Sequence, residues 1–276
     1  MTYDDNILHK LWGVEMEILD VIHSVCQKHG LRYSLGFGSL IGAVRHGGFI
    51  PWDDDIDIIM PRQDYEQLIK IWAASAPADY IIQHKDNSHD FTQNFVKIRK
   101  NHTTFLEDEE ERSKKFHKGI FVDICPCDRV APGRISRLVQ YFFCAIDLLY
   151  SKEHPSGTQG LIGIIERILL CIPKKLRTIL RRKAKSIIAH WNSNDKSSWF
   201  CSDTIPNCRR HFSCDLFINL NLVSFQGRRY FAIHNPSDFL SVRYGDYMQL
   251  PPEEYRVWKH HPIIIDFDHN YDELNR

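Results

Sequence analysis

Four aspartates, Asp53, Asp54, Asp55 and Asp57, fall within five positions of the stretch GSLIGAVRHGGFIPWDDDIDIIMPR, residues 38–62. Carboxylates held this close repel one another and raise each other's pKa. Side chains two apart in a strand face the same side, so an extended DIDIIM projects Asp55 and Asp57 together and sends Ile56 and Ile58 to the opposite face. A hard divalent cation, Mg2+ or Mn2+, relieves that conflict and commonly binds substrate phosphate as well. The plainer alternative is a solvated acidic turn leading into a strand; the alternation with isoleucine and the adjacent Trp52 favour a built site. Asp53 lies one further even step back and takes a supporting role. Asp54 points the other way, as a residue that caps or positions the turn.

The surrounding elements follow from hydrophobic spacing. Residues 7–29 carry Leu8, Leu11, Trp12, Glu15, Ile18, Leu19, Ile22, Val25 and Cys26 at mostly helical intervals, with Gly30 as a stop. LRYSLGF, 31–37, reads as a strand, Gly38-Ser39 as a turn, and LIGAV as the opening of a helix. A further helix is expected over 64–74. NFVKIRK, 94–100, and GIFVDIC, 119–125, read as strands, with the acidic run 107–111 a solvated loop between them. After Pro132 the chain becomes apolar and helical. It includes 173–191, with seven Lys or Arg between 174 and 185. From about Trp199, turns alternate with short strands such as RRYFAI. A helix N-terminus offers free N–H groups and a favourable dipole to phosphate, and glycine permits close approach, so Gly38 and Ser39 are candidate phosphate contacts.

The order strand, Gly-Ser, helix, Asp-x-Asp strand resembles the nucleotidyltransferase fold. More closely, GSLIGAVRHGGFIPWDDDIDIIMPRQDYEQL, VKIRKNHTTF, GIFVDICPCD and YGDYMQLPP with a late His-His pair resemble the LicD family, which includes bacterial phosphocholine transferases and fukutin-type ribitol-phosphate transferases. The resemblance covers about 31–128 and, in a shorter block, 240–262. Ser39 stands where the family typically has Thr, and Pro126-Cys127-Asp128 departs from its usual pattern.

The resemblance implies an α+β fold: a nucleotidyltransferase-like mixed sheet flanked by helices, in one catalytic domain over 1–276. The core would span 1–130, a helical insertion about 131–200 and a C-terminal part about 201–276. It implies a phosphotransferase that moves phosphocholine or an alditol phosphate from a CDP-linked alcohol to a glycan hydroxyl, releasing CMP, as in the modification of lipopolysaccharide or teichoic acid. Asp123 is then the third metal carboxylate beside Asp55 and Asp57. Two ions about 3.5–4 Å apart would clamp the attacking and leaving oxygens. Arg45, Lys97 and Arg99 are candidate diphosphate contacts, the latter two on one strand face. His46, Tyr244, Asp246 and Tyr247 are candidate pocket residues. The same fold also hosts true nucleotidyltransferases, which move NMP from an NTP. An inactive glycan- or nucleotide-binding protein is a further alternative, disfavoured by the retained acid set.

Thirty-five Lys and Arg balance thirty-five Asp and Glu, which gives no reason to expect bulk nucleic-acid binding. The polar start MTYDDNILHK and the lack of any long apolar run lead us to expect a cytoplasmic protein with reduced cysteines. Cys201, Cys208 and Cys214, with His211 among them, lack a Cys-x-x-Cys pair, which makes zinc a weak reading. The adjacent His260 and His261 fit a substrate contact or a packed turn. The basic stretch 174–185 is either a solvated face or a peripheral contact with the inner face of a membrane.

Overall fold

The computed structural model describes residues 5–88, 90–91, 93–151 and 160–274. The N-terminal helix α1 (Asp5–His29) buries Leu8, Leu11, Ile18, Leu19, Ile22 and Val25, the stripe its spacing predicts. The next strand is shorter than expected. Only β1 (Ser34–Leu35) pairs, and helix α2 (Phe37–His46) starts immediately after it, with Gly36 at its N-cap. Gly38 and Ser39 therefore sit in the first turn of α2 and do not form the turn expected before it. The Asp loop follows, then strand β2 (Asp57–Pro61) and helix α3 (Arg62–Ser75).

Strands β3 (Tyr80–Gln83), β4 (Val96–Lys100) and β5 (Thr104–Leu106) precede the long strand β6 (Phe121–Arg129). Every residue of β6 is buried, as befits a central strand covered on both faces. Helices α4 (Arg134–Ser151), α5 (Gly160–Leu170) and α6 (Lys174–Ala189) lie between β6 and β7 (Trp199–Cys201). A hairpin of β8 (Leu220–Phe225) and β9 (Arg228–Ile233), helix α7 (Pro236–Tyr244), strand β10 (Ile264–Asp266) and helix α8 (Tyr271–Leu274) complete the chain.

The main sheet runs β1-β2-β6-β4-β3 and mixes senses: β2 is parallel to β6, while β1, β4 and β3 pair antiparallel with their neighbours. With helices α1, α2 and α3 packed on it, the fold is α+β. β6 reaches four residues beyond the expected end at Cys125, because β7 joins it over Cys127–Arg129 on the edge β4 occupies up to Ile124. Pro126, which lacks an N–H, falls in the gap between those two ladders, where proline is tolerated. Among the described residues no helix is long and apolar enough to cross a membrane.

One carboxylate of the acidic stretches is purely architectural. Buried Asp128 receives both Nε and Nη2 of Arg62, at 2.9 and 2.6 Å, and Nδ2 of Asn192 at 2.8 Å. It ties the start of α3 and the segment after α6 to the central strand. Asp128→Ala strands a guanidinium against a buried surface, and urea unfolding should show a loss of about 3–5 kcal/mol.

Candidate active site

The sheet register brings the acids together. Asp57 on β2 lies directly opposite Asp123 on the parallel β6, and Lys97 on β4 lies opposite Asp123 on its other side. Asp55 and Ile56 precede the ladder, where the backbone N–H of Asp123 donates to the Ile56 carbonyl at 2.9 Å. Asp53, Asp54 and Asp55 are buried in the connecting loop, and one carboxylate oxygen from each lies within 4.8 Å of the others. The loop is held from three sides. The Asp53 N–H closes a turn on the Ile50 carbonyl at 2.9 Å. Trp12 of α1, stacked on Phe49, donates its indole N–H to the Asp53 carbonyl at 2.8 Å. The Asp57 N–H donates to the Ser39 hydroxyl at 2.8 Å. Ser39 thus fixes Asp57, a job that any hydroxyl residue can perform.

Gly38 is required by proximity: a Cβ there would lie 2.5 Å from Asp53 Oδ2. The N-terminal turn of α2 therefore abuts the acid cluster as expected, and the closeness is to a carboxylate of the chain itself.

The crowding shows in the protonation equilibria. Burial, then Asp55, raises Asp53 to about 7 against the opposing pull of Lys259. Burial followed by Asp55 and Asp123 raises Asp57 well above the usual carboxylate range. Burial also raises Asp123, partly offset by Lys97. Asp55 Oδ1 is buried without a hydrogen-bond partner. Such an orphaned carboxyl oxygen, among carboxyls that resist ionisation, fits the donor set of a hard divalent cation.

Two residues at this site, Glu15 and Lys259, were not assigned to it from sequence, and His260 was read there only as a substrate contact or a packed turn. Glu15, on the buried face of α1, is pushed well up by burial and then by Asp55, Asp54, Asp53 and Asp123, which adds a further carboxyl beneath the cluster. Its only signal was an acid on an apolar helical stripe. Lys259 and His260 arrive from the far end of the chain. Lys259 Nζ lies 3.2 Å from Asp53 Oδ1, and its pKa is raised by Asp53, Asp55 and Asp57 against the effect of burial. Both Asp54 oxygens are engaged by this strap: the N–H of Lys259 donates to Oδ1 at 3.1 Å and the N–H of His260 to Oδ2 at 2.9 Å, with the His260 ring nitrogen 3.4 Å from Oδ1. Burial alone would lower His260; the Asp54 hydrogen bond and Asp55 outweigh it and raise the ring to about 9. Asp54, committed to the strap, is an anchor. That leaves Asp53, Asp55, Asp57 and Asp123 as the carboxylates with ligand capacity.

The candidate cations divide. Lys97 is buried, with Nζ 3.0 Å from Asp123 Oδ1 and over the Phe121 ring. Arg99 shares that face, as the two-residue rule predicts. It is buried, and its donors go to Gln83 Oε1 at 2.5 Å and the Gly119 carbonyl at 2.7 Å, which describes a packing role. Arg45 donates to the Tyr247 carbonyl at 2.7 Å and to His46 Nε2 at 2.9 Å, so it pins α2 to the 247–249 loop. Tyr244 lies within electrostatic reach of Asp57 and Lys259, its hydroxyl accepting from Arg243 Nε at 3.2 Å. Tyr247 shares a 2.9 Å hydroxyl contact with Ser237, and Asp246 is exposed. The cysteines do not converge: Cys201 meets Cys127 at 3.3 Å, Cys208 bonds Cys144, and His211 bonds the Tyr141 hydroxyl at 2.5 Å.

Residues 30–129 match the family described as LicD/FKTN/FKRP, nucleotidyltransferase domain. Lipopolysaccharide cholinephosphotransferase LicD of Haemophilus influenzae is 28% identical over 246 residues, 87% of this chain and 90% of that protein. Ribitol 5-phosphate transferase FKRP of Mus musculus is 35% identical over 81 residues, 24% of this chain and 16% of that protein. An uncharacterised protein of Rickettsia typhi is 34% identical over 68 residues, 25% of this chain and 22% of its own length.

Proposed function

We propose that this chain is a metal-dependent phosphotransferase that moves a phosphoryl-alcohol unit, phosphocholine or an alditol phosphate, from a CDP-activated donor to a hydroxyl of a cell-surface glycan, with release of CMP. The observation that carries the reading is Asp57 opposite Asp123 in the β2–β6 register, with Asp55 within electrostatic reach of both, an orphaned oxygen on Asp55 and lysines on both flanks. The named activities of the H. influenzae and mouse relatives support transfer of a phosphate-bearing group.

Asp55, Asp57 and Asp123 would hold a divalent cation, Mg2+ or Mn2+, which when bound supplies charge neutralisation at the donor phosphate. The remaining work falls to the chain. Ser39 and the β2–β6 register hold Asp57 and Asp123 in place before substrate arrives, the preorganisation that electrostatic catalysis needs. Lys97 favours the anionic form of Asp123 against the effect of burial, and Lys259 brings a cation beside Asp53, where phosphate oxygens would carry negative charge. Asp53, beside Lys259 at the edge of the cluster, is the carboxylate placed to take the proton of the acceptor hydroxyl. Tyr244 and the 245–249 loop, pinned to α2 by Arg45, would border the donor or acceptor pocket.

The test is the fate of label. With a CDP-alcohol donor labelled in the alcohol and Mg2+ present, label should move to the glycan and CMP should leave unlabelled. Cytidine label on the acceptor, or pyrophosphate release from an NTP, would replace this reading with nucleotidyl transfer. Binding of donor and glycan with no product would make the chain a binding protein.

A further inference from the structure

Helix α4 presents its apolar side to solvent. Ile135, Leu138, Val139 and Phe142, spaced i, i+3, i+4, i+7, are 80, 67, 41 and 60% exposed. The side facing the protein carries Gln140 and Asp147 along with Cys144 and Tyr150. The Gln140 side chain bonds the Ala131 N–H and the Arg129 and Ile188 carbonyls, and Asp147 receives Arg181 Nε at 3.0 Å. A helix that merely covers a core shows the reverse pattern. Helix α5, in contact with α4, repeats the inversion: Glu166 is buried, while Ile164 and Ile168 are 53 and 63% exposed. Helix α6 packs directly on α4 and exposes Leu176 and Ile179 among Lys175, Arg182 and Lys183.

The charges are sorted with equal strictness. The only acids in these three helices, Asp147 and Glu166, are buried. Exposed charge there comes from Arg134, Arg167, Lys174, Lys175, Arg182 and Lys183. In a chain of zero net charge this is a local segregation of cations onto one set of helices.

We propose that the outer face of α4–α6 docks on the surface of an anionic lipid bilayer, with the α4 stripe in the headgroup–acyl boundary and the α6 cations among the headgroups. Exposed isoleucine, leucine and phenylalanine interleaved with Lys and Arg, without exposed acid, are the composition that binds such a surface. A second copy of the chain would set two cationic faces against each other, and charge complementarity therefore favours the lipid. The proposal stands independently of the reaction assigned to the acid cluster.

Vesicle flotation of the full chain tests it. The protein should float with vesicles containing phosphatidylglycerol and stay behind with phosphatidylcholine alone. Replacing Lys175, Arg182 and Lys183 by Gln should lower the partition coefficient on the order of 100-fold, about tenfold for each 1.4 kcal/mol at roughly 1 kcal/mol per cation. Replacing Ile135, Leu138 and Phe142 by Ser should abolish the fraction that stays bound when salt screens the charges. These positions are exposed, and circular dichroism should show both variants folded. Equal flotation of wild type and both variants, or no flotation with anionic vesicles, overturns the proposal. So does sedimentation in which the wild type self-associates and the Ser variant is monomeric, which would give the face to a second copy.

Discussion

Asp57→Asn should lose turnover by roughly 10²–10³-fold or more, while the chain still folds and melts at or above the wild-type temperature. Asparagine keeps the volume and removes the charged oxygen. The folded-state pKa of Asp57 is raised well above the usual carboxylate value by burial and by Asp55 and Asp123. A raised carboxyl pKa means that, at neutral pH, ionising the group costs the folded state more than the unfolded one, so a neutral amide removes a destabilising contribution. Asp55→Asn should behave alike, since its Oδ1 has no hydrogen-bond partner to lose. The paired readouts separate this from a structural role: kinetics at saturating donor, and thermal melting of the metal-free protein. Near wild-type turnover in either variant would sink the metal-site assignment. A second arm adds Mg2+ to the melts. Wild type should be stabilised, by the logic of a ligand that binds only the native state, and Asp57→Asn should not.

Asp54→Ala should have the opposite signature. Its two oxygens accept the backbone N–H groups of Lys259 and His260 and face the His260 ring. Truncation leaves two donors and a cationic ring without their acceptor, at a cost of about 2–5 kcal/mol in urea unfolding. It also frees the strap that carries Lys259 to Asp53, and turnover should fall about 10²-fold with it. Hydrogen exchange at the amides of Lys259 and His260 should accelerate far more than exchange in β6. Unchanged exchange at those two amides would show that Asp54 does not hold the strap. A stability loss with full turnover per folded molecule would leave the strap structural and remove Lys259 from the proposed mechanism. The two aspartates, three positions apart, are thus expected to fail in different ways, one through chemistry and one through architecture.

The same contrast marks how far the sequence could be read. It determined the elements whose signal is local. The stripe of α1, the apolar runs of β2 and β6, the position of α3 and the helical character of α4, α5 and α6 follow from periodicity, because burial selects side chains at 3.6 or 2 residue intervals wherever an element has one dry face. It also determined the acid inventory. Four aspartates within five positions, and Asp123 inside an apolar strand, are unusual enough in composition to mark a site before any fold is known.

Partners remote in sequence were decided only by the tertiary structure. Asp57 faces Asp123 because β2 and β6 are adjacent and parallel in one register. Nothing in the Asp-rich stretch specifies that the strap at 259–260, some two hundred residues on, will close over it, or that Glu15 will lie beneath. Arg99 and Lys97 alternate identically in sequence, yet Lys97 reaches Asp123 while Arg99 is spent on Gln83 and Gly119, since only the packed neighbours determine what each cation meets. Arg45 became a clamp on Tyr247 and Ser39 a support for Asp57 for the same reason. On α4 the helical period was legible, but the side turned to solvent was not: periodicity gives the faces of a helix, and only the elements packed against it decide which face stays dry.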